Sequence, residues 1–180
     1  MSRLRVISEL VRQTEVLGQV MAEIGVFQGH SAEVILLNST RFLHCFDTFR
    51  GIPYSNEFDN YHKAGDFSDT TEDLVSSKLN SIDAHRFKLH CGVFPKTVPP
   101  ELESSLFSFV HIDADVHETY CDALQFFYPR MVKGGIILFD DYAASTCLGA
   151  KKAVDEFLLR YPEKLNATEY CVSHYIRRSL

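Results

Sequence analysis

The chain has 180 residues, 46% of them apolar and 23% charged, a balance that suits one packed domain over 1–180 and is inconsistent with disorder. Its formal charge of −6 excludes nucleic acid as an expected partner, because phosphate binding requires a basic surface. No apolar run reaches the roughly 18 residues of a spanning helix, so no membrane partner is expected either. The first residues, MSRLRVISELVRQTEV, are amphipathic and lack the basic and apolar blocks of a secretory signal. Five cysteines without a CxxC pair point to reduced thiols and a cytoplasmic location. Cys45 and Cys91 fall inside strand-like runs and read as small buried apolar residues.

The apolar period then alternates between helical and extended. Leu4, Ile7, Leu10 and Val11 recur at helical spacing and Gly18 stops the pattern, which predicts a short helix within 2–18. An apolar run over 20–26 predicts a strand, followed by a helix beginning near Ser31. A second strand over 42–46 ends at Asp47. Residues 48–68 are rich in Gly, Pro, Asn and aromatics and have no period, which makes them a long loop. Asp69 to Glu72 has the spacing of a capping box opening a helix through Leu79. Strands are expected at 87–91, 107–112 and 135–139, with a helix over 118–128 between the last two. A helix over 151–161 and a strand or hairpin over 168–178 close the chain. Strands apolar at nearly every position and separated by helices belong in a mostly parallel sheet covered on both faces, a three-layer α/β domain. Ligands bind such sheets at the carboxyl ends of the strands, where strand order reverses.

The first strand runs into Glu23-Ile-Gly25-Val-Phe-Gln-Gly29-His-Ser31. The glycines allow a tight turn and a close backbone approach, and Ser31 is placed to cap the next helix, whose amides favour an anion. This is not the GxGxxG dinucleotide fingerprint, since position 27 is Phe. Asp47 ends the second strand. An acid there either caps a turn or accepts hydrogen bonds from ribose hydroxyls, and the glycine turn before it favours the ribose role. Two further strands end in His111-Ile-Asp113-Ala-Asp115 and Phe139-Asp140-Asp141. Neighbouring strands lie about 4.8 Å apart, so their terminal acids converge. Like charges about 4 Å apart repel by roughly 4 kcal/mol at an effective dielectric of 20. That cluster calls for protonation or a cation, and oxygen ligands suit a hard divalent ion such as Mg²⁺. Asp115 and Asp141 are alternatively helix caps.

These segments carry a resemblance. AEIGVFQGHSA (22–32), CFDTFRGIP (45–53), GDFSDTTEDL (65–74), the block from Phe109 to Tyr142 ending in GGIILFDDY, and GAKKAVDEF (149–157) resemble class I S-adenosylmethionine-dependent methyltransferases. More narrowly they are similar to the macrocin O-methyltransferases, which methylate sugar hydroxyls of natural products. The resemblance implies the Rossmann-like fold of that class, mostly parallel with an antiparallel C-terminal strand. It implies that Glu23, Gly25, Gly29 and Ser31 hold the methionine part of S-adenosylmethionine, that Asp47 takes the ribose hydroxyls with Thr48 and Phe49 beside it, and that Asp66 and Phe67 approach the adenosine. Asp113, Asp140 and Asp141 would hold Mg²⁺, with Asp113 also a base for the acceptor hydroxyl. His117 stands where the macrocin family commonly has an aromatic residue; it either touches the acceptor or acts as a second base, or is a solvated or helix-capping histidine. The implied partner is a hydroxylated small molecule, a sugar above all, and the implied assembly a homo-oligomer.

The chain departs from that pattern in two places. The lysine that related catechol methyltransferases carry three residues after the first metal aspartate is here Val116. Only about 18 residues precede the first strand, where family members carry a longer covering segment. Closure then falls to the 48–68 loop, whose Tyr54, Phe58, Tyr61 and Phe67 are either cavity walls or a satellite core. The reduced front end also motivates a cofactor-binding domain without activity of its own. A nicotinamide-dependent oxidoreductase is a third reading, disfavoured by the glycine spacing.

Overall fold

The computed structural model describes residues 2–179. Helix α1 (Arg3–Thr14) buries the stripe Val6, Ile7, Leu10, Val11 and Thr14, and a 3-10 turn over Glu15–Leu17 ends at Gly18 in the left-handed conformation, the backbone shape that favours glycine. There follow β1 (Val20–Ile24), α2 (His30–Asn38), β2 (Leu43–Asp47), α3 (Glu72–Asp83), β3 (Phe87–Cys91), β4 (Phe107–Ile112), α4 (His117–Phe127), β5 (Met131–Phe139), α5 (Leu148–Arg160), β6 (Leu165–Ala167) and β7 (His174–Arg177). Among the described residues the strands form one sheet in the order β3-β2-β1-β4-β5-β7-β6. β1 to β5 pair in parallel, and β7 is antiparallel to both β5 and β6. No helix among these residues is long and apolar enough to cross a membrane.

Alternation of side chains about the central strands builds two cores. Val110, Ile112, Ile137 and Phe139 face α4 and α5, where Tyr120, Phe127, Ala150 and Val154 cover them. Phe109, Ile136, Leu138 and Met21 face the other way, onto α1, α2 and α3. All six residues of β4 are buried, which is why the central strands read as continuous apolar runs. The chain leaves β1, builds β2 and β3 on one side, then returns to lay β4 on the other side of β1. The carboxyl ends of β1 and β4 therefore open onto the point where strand order reverses.

Three local expectations are corrected. Cys91 is exposed, because β3 is the edge of the sheet; Cys45, on the interior β2, is buried. The cap of α3 lies later than Asp69: Thr71 is the N-cap and accepts a hydrogen bond from Leu74 N. Ser31 caps nothing, since α2 begins at His30 behind a left-handed Gly29, and Ser31 falls inside the first turn.

Candidate active site

A cavity of about 470 Å³ opens at the carboxyl ends of β1, β2 and β4, within the size range of small-molecule sites. Gly25, Ser31, Asp47, Thr48, Phe67, Asp113, Asp140 and Asp141 all line it. Gly25, at φ +83°, is there because no side chain fits: a Cβ would stand 1.8 Å from the Asp113 carbonyl oxygen. The two chain segments that frame the cavity are thus in backbone contact. Asp47 fastens the glycine turn from the other side. Its Oδ2 accepts from Val26 N at 2.6 Å and Phe27 N at 2.8 Å, and its Oδ1 from Phe49 N at 2.8 Å. Thr48 donates to Gly51 O and shapes the next corner. Gly29 stands behind the turn, a Cβ there meeting Val75 at 3.1 Å.

Several expected residues do not reach the cavity. Glu23 is fully buried on β1 and bonds His111 Nδ1 through Oε1 at 2.8 Å, while its Oε2 has no partner; it supports the sheet end without lining the opening. Phe49 turns inward and joins the core shared with α1, α2 and α3. Asp66 is an exposed loop residue whose Oδ2 accepts from Lys63 N. His117 opens α4 with its ring beside Cys121 and Glu156, the latter 3.3 Å away. It lies on the side facing α5, away from the cavity, so the expectation that it meets the acceptor is corrected. Of the loop aromatics, Phe67 lines the cavity and packs edge-on against Phe27 at 5.6 Å. Phe58 instead covers His117, and Tyr61 is exposed.

The loop over 48–68 is tied down rather than free. Asp59 Oδ1 accepts from His117 N at 2.9 Å, and Asn60 Oδ1 accepts from Leu148 N at 3.0 Å. One loop thereby satisfies the first amides of two helices, which otherwise lack intrahelical partners.

At the ends of β4 and β5, ligand atoms of His111, Asp113 and Asp140 gather within 4.8 Å of one another. The expected convergence of Asp113 and Asp140 is present, but a cation from the chain already sits on it. Arg3, from α1, holds Asp113 through Nη2 and Asp140 through Nε at 3.1 Å. His111 contributes a second positive charge. Burial alone would lower its proton affinity, yet its bonds to Asp140 and Glu23 lift its pKa to about 10. Asp140, although buried, is held below the ordinary carboxylate range by His111 and Arg3. Asp113 is pushed well above that range by burial and by the charges of Asp140 and Asp141, against the pull of Arg3 and His111. Asp141 stands on the same wall, with Oδ2 taken by Tyr120 OH at 2.9 Å and Asp115 N at 3.0 Å. Burial and neighbouring carboxylates raise Asp115 and Asp141 to about 7. Asp115 is no helix cap, since α4 takes Val116 in that position.

The residues present fit both groups that the resemblance implies. The cavity and the side-chain-free approach at Gly25 suit an extended organic cofactor. The Asp113 and Asp140 oxygens suit a hard divalent ion, provided that Arg3 withdraws.

Two features of this site escaped the sequence reading. Arg3 is in phase with Ile7, Leu10 and Thr14 at helical spacing, and that phase was the available signal that it faces inward. Phe27 adopts φ 49°, a backbone shape unusual for an aromatic residue, and nothing in its sequence neighbourhood announces it.

A mostly parallel sheet of this order, closed by an antiparallel C-terminal pair, is the Rossmann-like fold of the methyltransferases. The chain matches the macrocin-O-methyltransferase (TylF) model over residues 1–168 and belongs to that family. It is 28% identical over 125 residues to the demethyldecarbamoylnovobiocin O-methyltransferase of Streptomyces niveus, covering 64% of this chain and 46% of that protein. It is 34% identical over 70 residues, 39% of this chain and 25% of the relative, to a rhamnosyl-tetracenomycin-C 4'-O-methyltransferase of Streptomyces olivaceus. The chain thus spans less than half the length of these curated relatives. The solved O-methyltransferase NovP superposes with a TM-score of 0.81 at 26% identity, over 99% of this chain and 80% of that one.

Proposed function

We propose that the protein transfers a methyl group from S-adenosylmethionine to a hydroxyl of a sugar or glycosylated small molecule. The observation that carries this reading is the cavity at the strand-order switch, with its backbone approach at Gly25 on one side and the Asp113–Asp140 pair on the other. One relative, named for methylation of a rhamnosyl-tetracenomycin, supports the acceptor class.

Bound S-adenosylmethionine supplies an electrophilic methyl on a sulfonium. Gly25 and Ser31 would take its amino-acid end, Thr48 and Phe67 the ribose and base, and Asp47 the ribose hydroxyls through the remaining acceptor site of Oδ1. The protein's main contribution to such a displacement is alignment of acceptor and donor. Asp113 would accept the hydroxyl proton on its carboxylate. Asp113 and Asp140, with Asp141 beside them, would hold a divalent ion that lowers the acceptor's pKa. Arg3 and His111 together offset the charge of the pair in the absence of such an ion.

The test is methyl transfer from labelled S-adenosylmethionine to a panel of glycosides and their aglycones, with and without Mg²⁺ after chelation. Transfer to glycosides alone supports the reading. Cofactor binding without transfer to any acceptor would favour a domain that needs a partner chain.

A further inference from the structure

A second cluster of donors adjoins the acid pair, through Asp115 N bonded to Asp141 Oδ2, and differs from it in chemistry. His62 comes from the 48–68 connection, Asp115 from the turn after β4, and Cys147 from the residue before α5. Their ligand atoms all lie within 4.8 Å of one another. His62 Nε2 is 3.5 Å from Asp115 Oδ1, and Cys147 Sγ is 3.5 Å from that same oxygen. A tetrahedral ion with bonds of about 2.0 Å to nitrogen and oxygen and about 2.3 Å to sulfur sets its ligands roughly 3.3–3.6 Å apart. Both separations meet that requirement, and the third pair, His62 and Cys147, lies within 4.8 Å.

We propose that His62, Asp115 and Cys147 form a binding site for a borderline-soft divalent ion, with Zn²⁺ the best match. One nitrogen, one oxygen and one sulfur suit zinc better than magnesium, which takes oxygen ligands. The surroundings are those of a built site. Cys147 is 3% exposed, and the His62 and Asp115 side chains 13% and 18%. Asp66 Oδ2 lies 3.6 Å from the other ring nitrogen of His62, just outside hydrogen-bond distance and near enough to become the carboxylate partner that a ligating imidazole takes. Three protein ligands leave a fourth position open, as in zinc sites that bind water or substrate. Asp115 also lines the main cavity. The ion would also staple the loop to the ends of β4 and α5, reinforcing the anchors at Asp59 and Asn60.

Cobalt(II), added to protein freed of metal by chelation, tests the site directly. The expected result is a thiolate-to-cobalt charge-transfer band with the intense visible bands of a tetrahedral ion, displaced by Zn²⁺. His62→Ala and Cys147→Ala should each weaken Zn²⁺ binding by about 100-fold or more and Asp66→Asn by about tenfold. Asp140→Asn should leave the cobalt spectrum intact, which separates this site from the acid pair. Circular dichroism checks that each variant is folded, and His62, in a loop, remains informative should Cys147→Ala fail to fold. Absence of the charge-transfer band in the wild type, or its persistence in folded His62→Ala, would overturn the proposal.

Discussion

Arg3 Nε stands 3.1 Å from Asp140 Oδ2, and the far nitrogen of the same guanidinium engages Asp113. The first helix therefore places a positive charge at the carboxyl ends of β4 and β5, where two neighbouring strands deliver acids that would otherwise repel.

Removal of that charge should be felt as lost stability that a metal ion restores. Arg3→Gln leaves the acid pair without its closest cation; breaking a fully buried pair costs roughly 3–5 kcal/mol, and partial exposure here reduces the expectation to about 1–2 kcal/mol. Urea unfolding in the presence of chelator should show the loss, and millimolar Mg²⁺ should recover most of it. A variant as stable as the parent, or one indifferent to Mg²⁺, would show that the pair needs no cation.

His117 should prove dispensable for transfer. Its ring packs between Phe58, Cys121 and Glu156, outside the cavity, so His117→Ala should keep kcat within about threefold, with only the stability change of a modest surface substitution. A loss of kcat by two orders of magnitude would place this ring at the reacting atoms.

A third expectation concerns acid stability. His44 Nδ1 and His90 Nε2 share a hydrogen bond of 3.0 Å, and burial, reinforced by neighbouring positive charge, lowers both pKa values to about 4. Unfolded histidine titrates near 6.5, so between pH 6.5 and 4 the unfolded chain binds more protons than the folded one. The stability from this pair is full above pH 6.5 and is lost as pH falls toward 4. Asp115 and Asp141, raised to about 7, act in the opposite sense over pH 4 to 7, so the comparison is with His90→Phe, which keeps the stacking on Phe46. The slope of its unfolding free energy against pH should be more negative than the parent's across that window, by up to about 1.4 kcal/mol per pH unit. Parallel curves for the two proteins would refute the assignment.

Much of the architecture was legible because the central strands are buried on both faces. The run at 107–112 coincides with β4, and the acids predicted to meet at the ends of β4 and β5 do meet. What escaped was set by contacts between distant segments. The helix cap moved from Asp69 to Thr71 because Thr70 is drawn away to donate to Phe27 O. His117 was misplaced because its backbone amide is claimed by Asp59, 58 residues earlier, an anchor that local spacing does not reveal. The counter-ion of the acid cluster was expected from solution, and α1 supplies one instead.

Calorimetric titration of S-adenosylmethionine tests the central claim most directly: that the cavity between the Gly25 turn and the end of β4 is a cofactor site. The wild type should bind one equivalent with a Kd on the order of micromolar. Gly25→Ala, confirmed as folded by circular dichroism, should show no binding, because its methyl would enter the space held by the Asp113 carbonyl. Absence of heat with the wild type, or unchanged affinity in the folded variant, would contradict the account.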